Sequence, residues 1–484
     1  MSAPLWTTEV FLAATGGRLR GGRPEAIAGI SIDSRSITPG EAFFAIRGDT
    51  FDGHDFAAIA LAAGAATAVV ARDRLADLGD VAGSLTVVAD VLEALGGLGR
   101  AARARSSAAI AAVTGSVGKT GTKQMLAAAL AADGPVHYSP ASYNNHWGVP
   151  LTLARMPPAA RYGVFEIGMN HAGEIDPLVR MVRPQVAIVT TVEPVHLEYF
   201  EDVAAIARAK AEIFAGVEEG GAAIINRDNP HFALLADLAR EAGIERIIGF
   251  GEHPKAEARL ETVKLKERCS CVAARILDDE VAYKLGAPGR HIVQNSLAVL
   301  AAVAVLGADL AKAALALAAM PAPKGRGERH RLALARGEAM LIDESYNANP
   351  ASMRAAIALL GQATPGRGGR RIAVLGDMRE LGDNAAAMHA ELAGALVEAG
   401  VEKVFLAGPL MGALWQALPE RLRGRHCETA AEIEPLLVEA IGPGDVVMVK
   451  GSNASRLGTV VETIKAHFVP TRGIAAERPE EDAA

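Results

Sequence analysis

The chain has 484 residues, too many for one hydrophobic core, and its length fits two to four domains. Half of the residues are hydrophobic and 22% are charged, the composition of an ordinary soluble protein. The net charge of −7, from 49 Lys and Arg against 56 Asp and Glu, argues against nonspecific nucleic-acid binding but leaves room for a nucleotide in a local site. Cys269 and Cys271 are one residue apart and Cys427 is distant, so neither a disulfide framework nor a structural zinc is expected. No basic segment followed by an apolar core opens the chain, and the apolar stretch Leu297 to Leu306 is too short to span a bilayer. A cytoplasmic protein without membrane insertion is expected.

The first segment, residues 1–88, reads as a small α/β domain. A helix should begin after Thr7 and Thr8, a strand is expected over Glu41 to Ile46, a helix over Phe56 to Ala63, and a strand at Ala68 to Val70. In Asp33-Ser34-Arg35, Ser34 and Arg35 could hold a phosphate or sugar, and a solvated loop is an equal reading.

A helix over residues 91–105 leads into Ile110-Ala-Ala-Val-Thr114-Gly115-Ser116-Val117-Gly118-Lys119-Thr120, which is followed by apolar residues at helical spacing. Strand, glycine loop and helix make a phosphate-binding context, with backbone N–H groups and the helix N-terminus facing the anion. Lys119 would reach the outer phosphates, and the Thr120 hydroxyl would bind Mg²⁺. The usual spacing wants a glycine where Val113 stands, and an ordinary βα turn is the competing reading.

Next, Asn144 and Asn145 lie in a polar loop before a helix, where amides usually cap backbone groups. Glu166 ends the apolar strand Tyr162 to Glu166, and His196 follows the strand Val186 to Thr191. Parallel α/β sheets bind ligands at the carboxyl ends of their strands, so Thr120, Glu166 and His196 form a plausible metal site. Lys210 lies in a predicted helix over Asp202 to Val217, where a lysine is normally a solvated cation. Residues 245–288 alternate as an antiparallel excursion, and a buried helix begins near Gly289. The Pro/Gly-rich stretch from Pro321 to Gly327 marks a boundary. Beyond it, strands ending at Asp343, Gly376, Gly408 and Lys450 repeat a βα pattern, and the tail 473–484 is expected to be disordered.

Taken in order, these motifs resemble the Mur ligases, ATP-dependent amide-bond-forming enzymes of peptidoglycan synthesis. Thr114 to Thr120 resembles the family's shortened phosphate loop. Asn145 with Gly148-Val-Pro150, Glu166, His196, Lys210, His291, Asn295, Arg326 and Asp343 continue the series. Asp33-Ser-Arg, Phe51-Asp-Gly-His, and Ser345-Tyr-Asn-Ala-Asn-Pro350 resemble the member that joins D-alanyl-D-alanine to UDP-N-acetylmuramoyl-tripeptide. Gly121 departs from the family's usual Ser or Thr, and His146-Trp147 from an acid and an aliphatic.

The resemblance implies a three-domain α/β fold: a UDP-substrate domain over 1–88, a central P-loop ATPase-like parallel sheet over 89–322, and a Rossmann-like domain over 323–472. It implies that the phosphate loop, Asn295, Arg326 and Asp343 bind ATP, and that Ser34, Arg35, Asn145, Tyr346, Asn347, Asn349 and Asp377 line substrate sites. Lys119, Glu166, His196 and Lys210 would be catalytic. Thr120, Glu166, His196 and a Lys210 carbamylated by CO₂ would hold two Mg²⁺ ions. A monomer is expected. A sibling ligase adding a single amino acid and a P-loop kinase are the alternatives, as are a folate polyglutamate ligase and a noncatalytic nucleotide-binding module.

Overall fold

The computed structural model describes residues 4–48, 50–195, 197–320 and 324–469. The expected boundary at 322/323, the tail 473–484 and His196 lie outside the described residues. Beside a two-stranded antiparallel pair, Trp6–Thr7 with Ala26–Ile27, three larger sheets order the described chain. No helix among the described residues is long and apolar enough to cross a membrane.

The first sheet runs Arg18–Arg20, Leu85–Val88, Thr67–Ala71, Glu41–Phe44, Gly29–Ser31, parallel except for its first strand. The helix Thr8–Thr15 starts where the Thr7 hydroxyl accepts the Val10 N–H. Four of the five strands have only three or four residues, too short for a clear period, which is why periodicity does not reveal Arg18–Arg20, Leu85–Val88 or Gly29–Ser31. The Phe51-Asp-Gly-His stretch is a structural lock. Asp52 Oδ1 accepts the His54 N–H at 3.0 Å and lies 2.6 Å from His54 Nδ1, while His54 Nε2 accepts the Ala71 N–H at 2.9 Å. A Cβ on Gly53 would stand 2.6 Å from the Ile46 carbonyl oxygen, so only glycine fits this close approach.

The helix Val91–Ala104 is capped by Asp90, whose carboxylate accepts the Glu93 N–H at 2.7 Å. It shares one core with Trp6, Phe11 and Phe44 of the first segment and with Leu151 and Ala154 of the next. Trp6 Nε1 donates to the Ala154 carbonyl at 3.0 Å, and Arg155 Nε donates to the Ile30 carbonyl at 2.6 Å. This helix therefore ties the first sheet to the second, and the expected boundary at 88/89 falls just ahead of it.

The central sheet has nine strands in the order Asp279–Leu285, Ser270–Ile276, Ala258–Leu265, Arg246–Gly251, Ala222–Asn226, Val186–Val189, Ala109–Thr114, Tyr162–Glu166, Val136–Tyr138. Only Ser270–Ile276 runs against the rest, so the alternating region extends the same sheet as a meander. Helices Lys119–Ala131, Arg290–Val305 and Leu310–Ala318 cover one face, and Ile175–Val182, Val203–Ala211 and Phe232–Glu241 the other. Strands buried on both faces read as near-continuous apolar runs, as Val186–Val189 does and as Ala109–Thr114 does up to its terminal threonine. The third sheet runs Glu328–Ala333, Glu338–Asp343, Val446–Lys450, Arg371–Gly376, Lys403–Ala407, Arg423–Cys427, with only the first strand antiparallel.

Candidate active site

Ala109–Thr114 lies between Val186–Val189 and Tyr162–Glu166, so the chain reverses its direction of sheet growth there. That crevice at the strands' carboxyl ends is where open α/β sheets bind ligands. The turn that follows is a tightly held loop. Ser116 N–H donates to the Thr191 carbonyl at 2.8 Å, and its hydroxyl accepts the Glu193 N–H at 2.9 Å. Thr190 Oγ1 donates to the Val117 carbonyl at 2.5 Å. Gly118 has φ +88°, and a Cβ there would meet Asn295 Nδ2 at 2.6 Å. The backbone thus forms a cradle that only glycine permits, followed directly by the N-terminus of Lys119–Ala131. Lys119 Nζ folds back onto the Gly115 carbonyl at 2.6 Å. Burial lowers its pKa, Glu166 opposes that shift, and Arg326 adds to it.

Thr120 and Glu166 form the floor. Thr120 Oγ1 lies 3.1 Å from Glu166 Oε1 and 3.2 Å from Ser142 Oγ. Asn144 Nδ2 also donates to Glu166 Oε1, at 2.8 Å. The other carboxylate oxygen, Oε2, is buried and accepts no hydrogen bond among the described residues; Lys123 Nζ stands 3.5 Å away. Lys123 is fully buried and donates to the Ala141 carbonyl at 2.8 Å. Burial lowers its pKa and Glu166 holds it up. A hydroxyl beside an orphaned carboxylate oxygen is a donor set that fits a hard divalent cation.

Lys210 is 2% exposed and forms no hydrogen bond or ion pair among the described residues. Its pKa is driven well below the ordinary lysine value, by burial first and by the Lys119 charge second. This is not the solvated cation that helices normally carry. Only the deprotonated amine can add CO₂, and a depressed pKa enlarges its share.

The opposite wall comes from the third sheet. Arg326 Nη2 donates to Thr120 Oγ1 at 3.1 Å across a sequence separation of 206 residues, and its guanidinium lies 4.2 Å over the Tyr346 ring. Lys450, at the end of Val446–Lys450, donates to the Asn347 carbonyl at 2.9 Å and stands 3.5 Å from Glu344 Oε2. Burial lowers the Lys450 pKa and raises that of Glu344. His291 opens onto the same cleft, yet the surrounding protein pushes its pKa down to about 4, with the Lys450 charge as the second cause. The cleft encloses about 700 Å³ between the phosphate loop and this wall.

Ser116 to Thr120, Glu166, Asn295, Arg326, Tyr346, Asn347 and Asn349 all border the cleft. Other expected residues sit elsewhere. Asn145 Oδ1 accepts the N–H of Gly148, the first residue of the next helix, at 3.0 Å, whereas its neighbour Asn144 faces Glu166. Asn349 borders the cleft, but its side chain is engaged in a capping box with Ser352. Asp343 is buried, and its Oδ1 accepts both the N–H and the hydroxyl of Ser345. Asp377 is also buried and does not line the cleft; its Oδ1 accepts the Met411 N–H at 3.1 Å. Arg35 turns to Asp33, 2.7 Å away, in an exposed turn of the first domain that also holds Ser34. Thr114 and Gly115 form the loop's root, with Gly115 pressed against Thr190.

Three family descriptions match the chain in succession: Mur ligase family, catalytic domain, at residues 26–105; Mur ligase middle domain at 113–303; and Mur ligase, glutamate ligase domain, at 325–453. The UDP-N-acetylmuramoyl-tripeptide--D-alanyl-D-alanine ligase of Escherichia coli K12 is 33% identical over 439 residues, covering 90% of this chain and 93% of that one. The enzyme of that name from Synechocystis is 34% identical, covering 91% and 92%. A crystal structure of MurF from Acinetobacter baumannii, 30% identical, superposes with a TM-score of 0.83 over 96% of this chain and 100% of that chain. MurF ligase from Thermotoga maritima in complex with ADP, 26% identical, gives a TM-score of 0.74 over 91% and 97%. A folylpolyglutamate synthase from Mycobacterium tuberculosis shares the fold at 17% identity and a TM-score of 0.60. With this order of domains and this cleft, the chain belongs to the Mur ligase family.

Proposed function

We propose that the protein joins D-alanyl-D-alanine to UDP-N-acetylmuramoyl-tripeptide with cleavage of ATP to ADP and phosphate. The carrying observation is the Arg326–Thr120 contact, which closes one cleft around the phosphate loop and the Tyr346–Asn347 wall. The relatives named above support the substrate assignment. The ADP-bound neighbour supports the nucleotide.

The chemistry follows from charge. The tripeptide's terminal carboxylate attacks the γ-phosphate of ATP to give an acyl phosphate, and the amine of the dipeptide then displaces phosphate. An anion must approach a polyanion, so neutralisation and positioning supply most of the catalysis. Lys119 lies at the phosphate loop, and Arg326 adds a second cation from the other wall. Thr120 and Glu166 would hold one Mg²⁺, and Glu166, His196 and a carbamylated Lys210 the second. When bound, the ions would spread the phosphoryl charge. Asn295 and Arg326, which line the cleft, would contact the nucleotide, with Asp343 a ribose candidate only if Ser345 releases it. Tyr346, Asn347 and Asn349 border the acceptor end. Ser34 and Arg35 would meet the UDP end, and Asn145 and Asp377 would act through the loops they brace.

An amine panel tests the assignment. Purified protein with ATP, Mg²⁺ and UDP-N-acetylmuramoyl-tripeptide should accept D-alanyl-D-alanine and reject single amino acids. Turnover with a single amino acid alone would move the protein to a sibling activity.

A further inference from the structure

The dipeptide's amine is an ammonium at neutral pH and must lose a proton before its nitrogen can attack. Lys119, Lys123 and Glu166, beside the phosphate loop, are already engaged. Lys119 and Lys123 are donors engaged with main-chain carbonyls, and Glu166 is engaged by Thr120, Asn144 and Lys123.

We propose that Glu344 is the general base that receives the dipeptide's ammonium and removes its proton, with Lys450 as its positioning residue. The inference rests on the ligase reading above. Glu344 follows the strand Glu338–Asp343, and its backbone N–H is fixed by the Val449 carbonyl at 2.9 Å. It lines the same cleft as Arg326, Tyr346 and Asn347. Lys450 is anchored by the main-chain carbonyls of Asn347 and Glu344, at 2.9 and 3.4 Å, and stands 3.5 Å from Glu344 Oε2. The other carboxylate oxygen forms no hydrogen bond among the described residues. A carboxylate held from one side and open on the other can take a cationic N–H.

The charged and titratable groups around Glu344 are Lys450 from the neighbouring strand, Arg326 from the preceding loop and Asp343 on its own strand, with His291 beyond Lys450. Burial is the largest influence on Glu344 and raises its pKa, while Lys450 and Arg326 limit the rise. The base is therefore stronger than a solvated glutamate. Glu193, the other cleft carboxylate with a raised pKa, is bonded through its backbone to Ser116 and so stands on the phosphate side. In the step itself, one N–H bond of the ammonium breaks and an O–H bond forms on Glu344. The amine lone pair then forms the C–N bond as the C–O bond to phosphate breaks, and the amine's second proton leaves with phosphate.

The test compares Glu344→Gln with wild type on two acceptors, D-alanyl-D-alanine and hydroxylamine, using ATP, Mg²⁺ and UDP-N-acetylmuramoyl-tripeptide. Hydroxylamine is already neutral near pH 7 and reports acyl phosphate as a hydroxamate without needing a base. The variant should lose about 10²–10³-fold in dipeptide ligation, within the range for general bases, and keep the hydroxamate rate. Its remaining dipeptide rate should climb with pH as free amine accumulates. Equal losses on both acceptors, or no loss on either, would overturn the proposal. Lys450→Met should give a smaller loss on the dipeptide alone; an equal loss on hydroxylamine would make Lys450 merely structural. If the wild type itself makes hydroxamate but no pentapeptide, the substrate reading fails instead.

Discussion

Lys123 Nζ and Glu166 Oε2 lie 3.5 Å apart, and both side chains are essentially excluded from solvent. A buried pair contributes little net stability, but removing one member strands the other charge. Lys123→Met should therefore lower unfolding free energy by roughly 3–5 kcal/mol. The double variant with Glu166→Gln should recover much of that loss. Urea denaturation of the four proteins of the cycle measures the coupling, and additive losses would show that the two residues act independently.

That pair also shows how far the sequence could be read. Lys123 stands three residues after Thr120 and four after Lys119, so helical spacing places it on their face. On an alanine-rich helix it nevertheless reads as one more solvated lysine. The phosphate loop, the strand tip at Glu166 and the central doubly wound sheet were legible because apolar runs ending in Gly or a carboxylate are local signals. Asn144 and Asn145 differ by one position, and only the turn geometry decides which amide faces Glu166. Asp343 and Glu344 are similarly adjacent, and backbone direction turns the first to Ser345 and the second to the cleft. Contacts such as Arg326 with Thr120 span 206 residues and leave no local trace.

The Gly118 cradle makes a second prediction. Alanine at Gly118 would adopt a left-handed backbone, at a cost of about 1–2 kcal/mol, and would press its Cβ on Asn295. ATP affinity should fall while the far-UV spectrum is unchanged. Calorimetric titration with ATP checks this, and wild-type affinity would show that the loop can relax.

Lys210 gives a pH signature. Its folded pKa lies below its unfolded one, so between the two values the unfolded chain binds the extra proton. Stability gains from this group as pH rises from the depressed folded value towards about 10.4, and the penalty is full below that window. In CO₂-free buffer, Lys210→Met should be more stable than wild type at neutral pH and show a flatter rise towards alkaline pH. Parallel stability curves would mean that Lys210 is ordinarily charged in the fold.

Arg326 joins the two walls through both a hydrogen bond and a stacked ring. Arg326→Lys keeps the charge but loses the planar guanidinium that makes both contacts. About 1.4 kcal/mol is at stake, or roughly a tenfold rise in KM for ATP. Steady-state kinetics with varied ATP measures it, and an unchanged KM would remove Arg326 from the nucleotide site.

The central claim is that one cleft couples ATP cleavage to amide formation. The direct measurement is phosphate release from ATP with UDP-N-acetylmuramoyl-tripeptide, with and without D-alanyl-D-alanine, and with the product mass recorded. Sustained release that requires both the tripeptide and the dipeptide, with UDP-N-acetylmuramoyl-pentapeptide formed mole for mole with phosphate, is the predicted result. Sustained release without the dipeptide, or release with no pentapeptide, would contradict it.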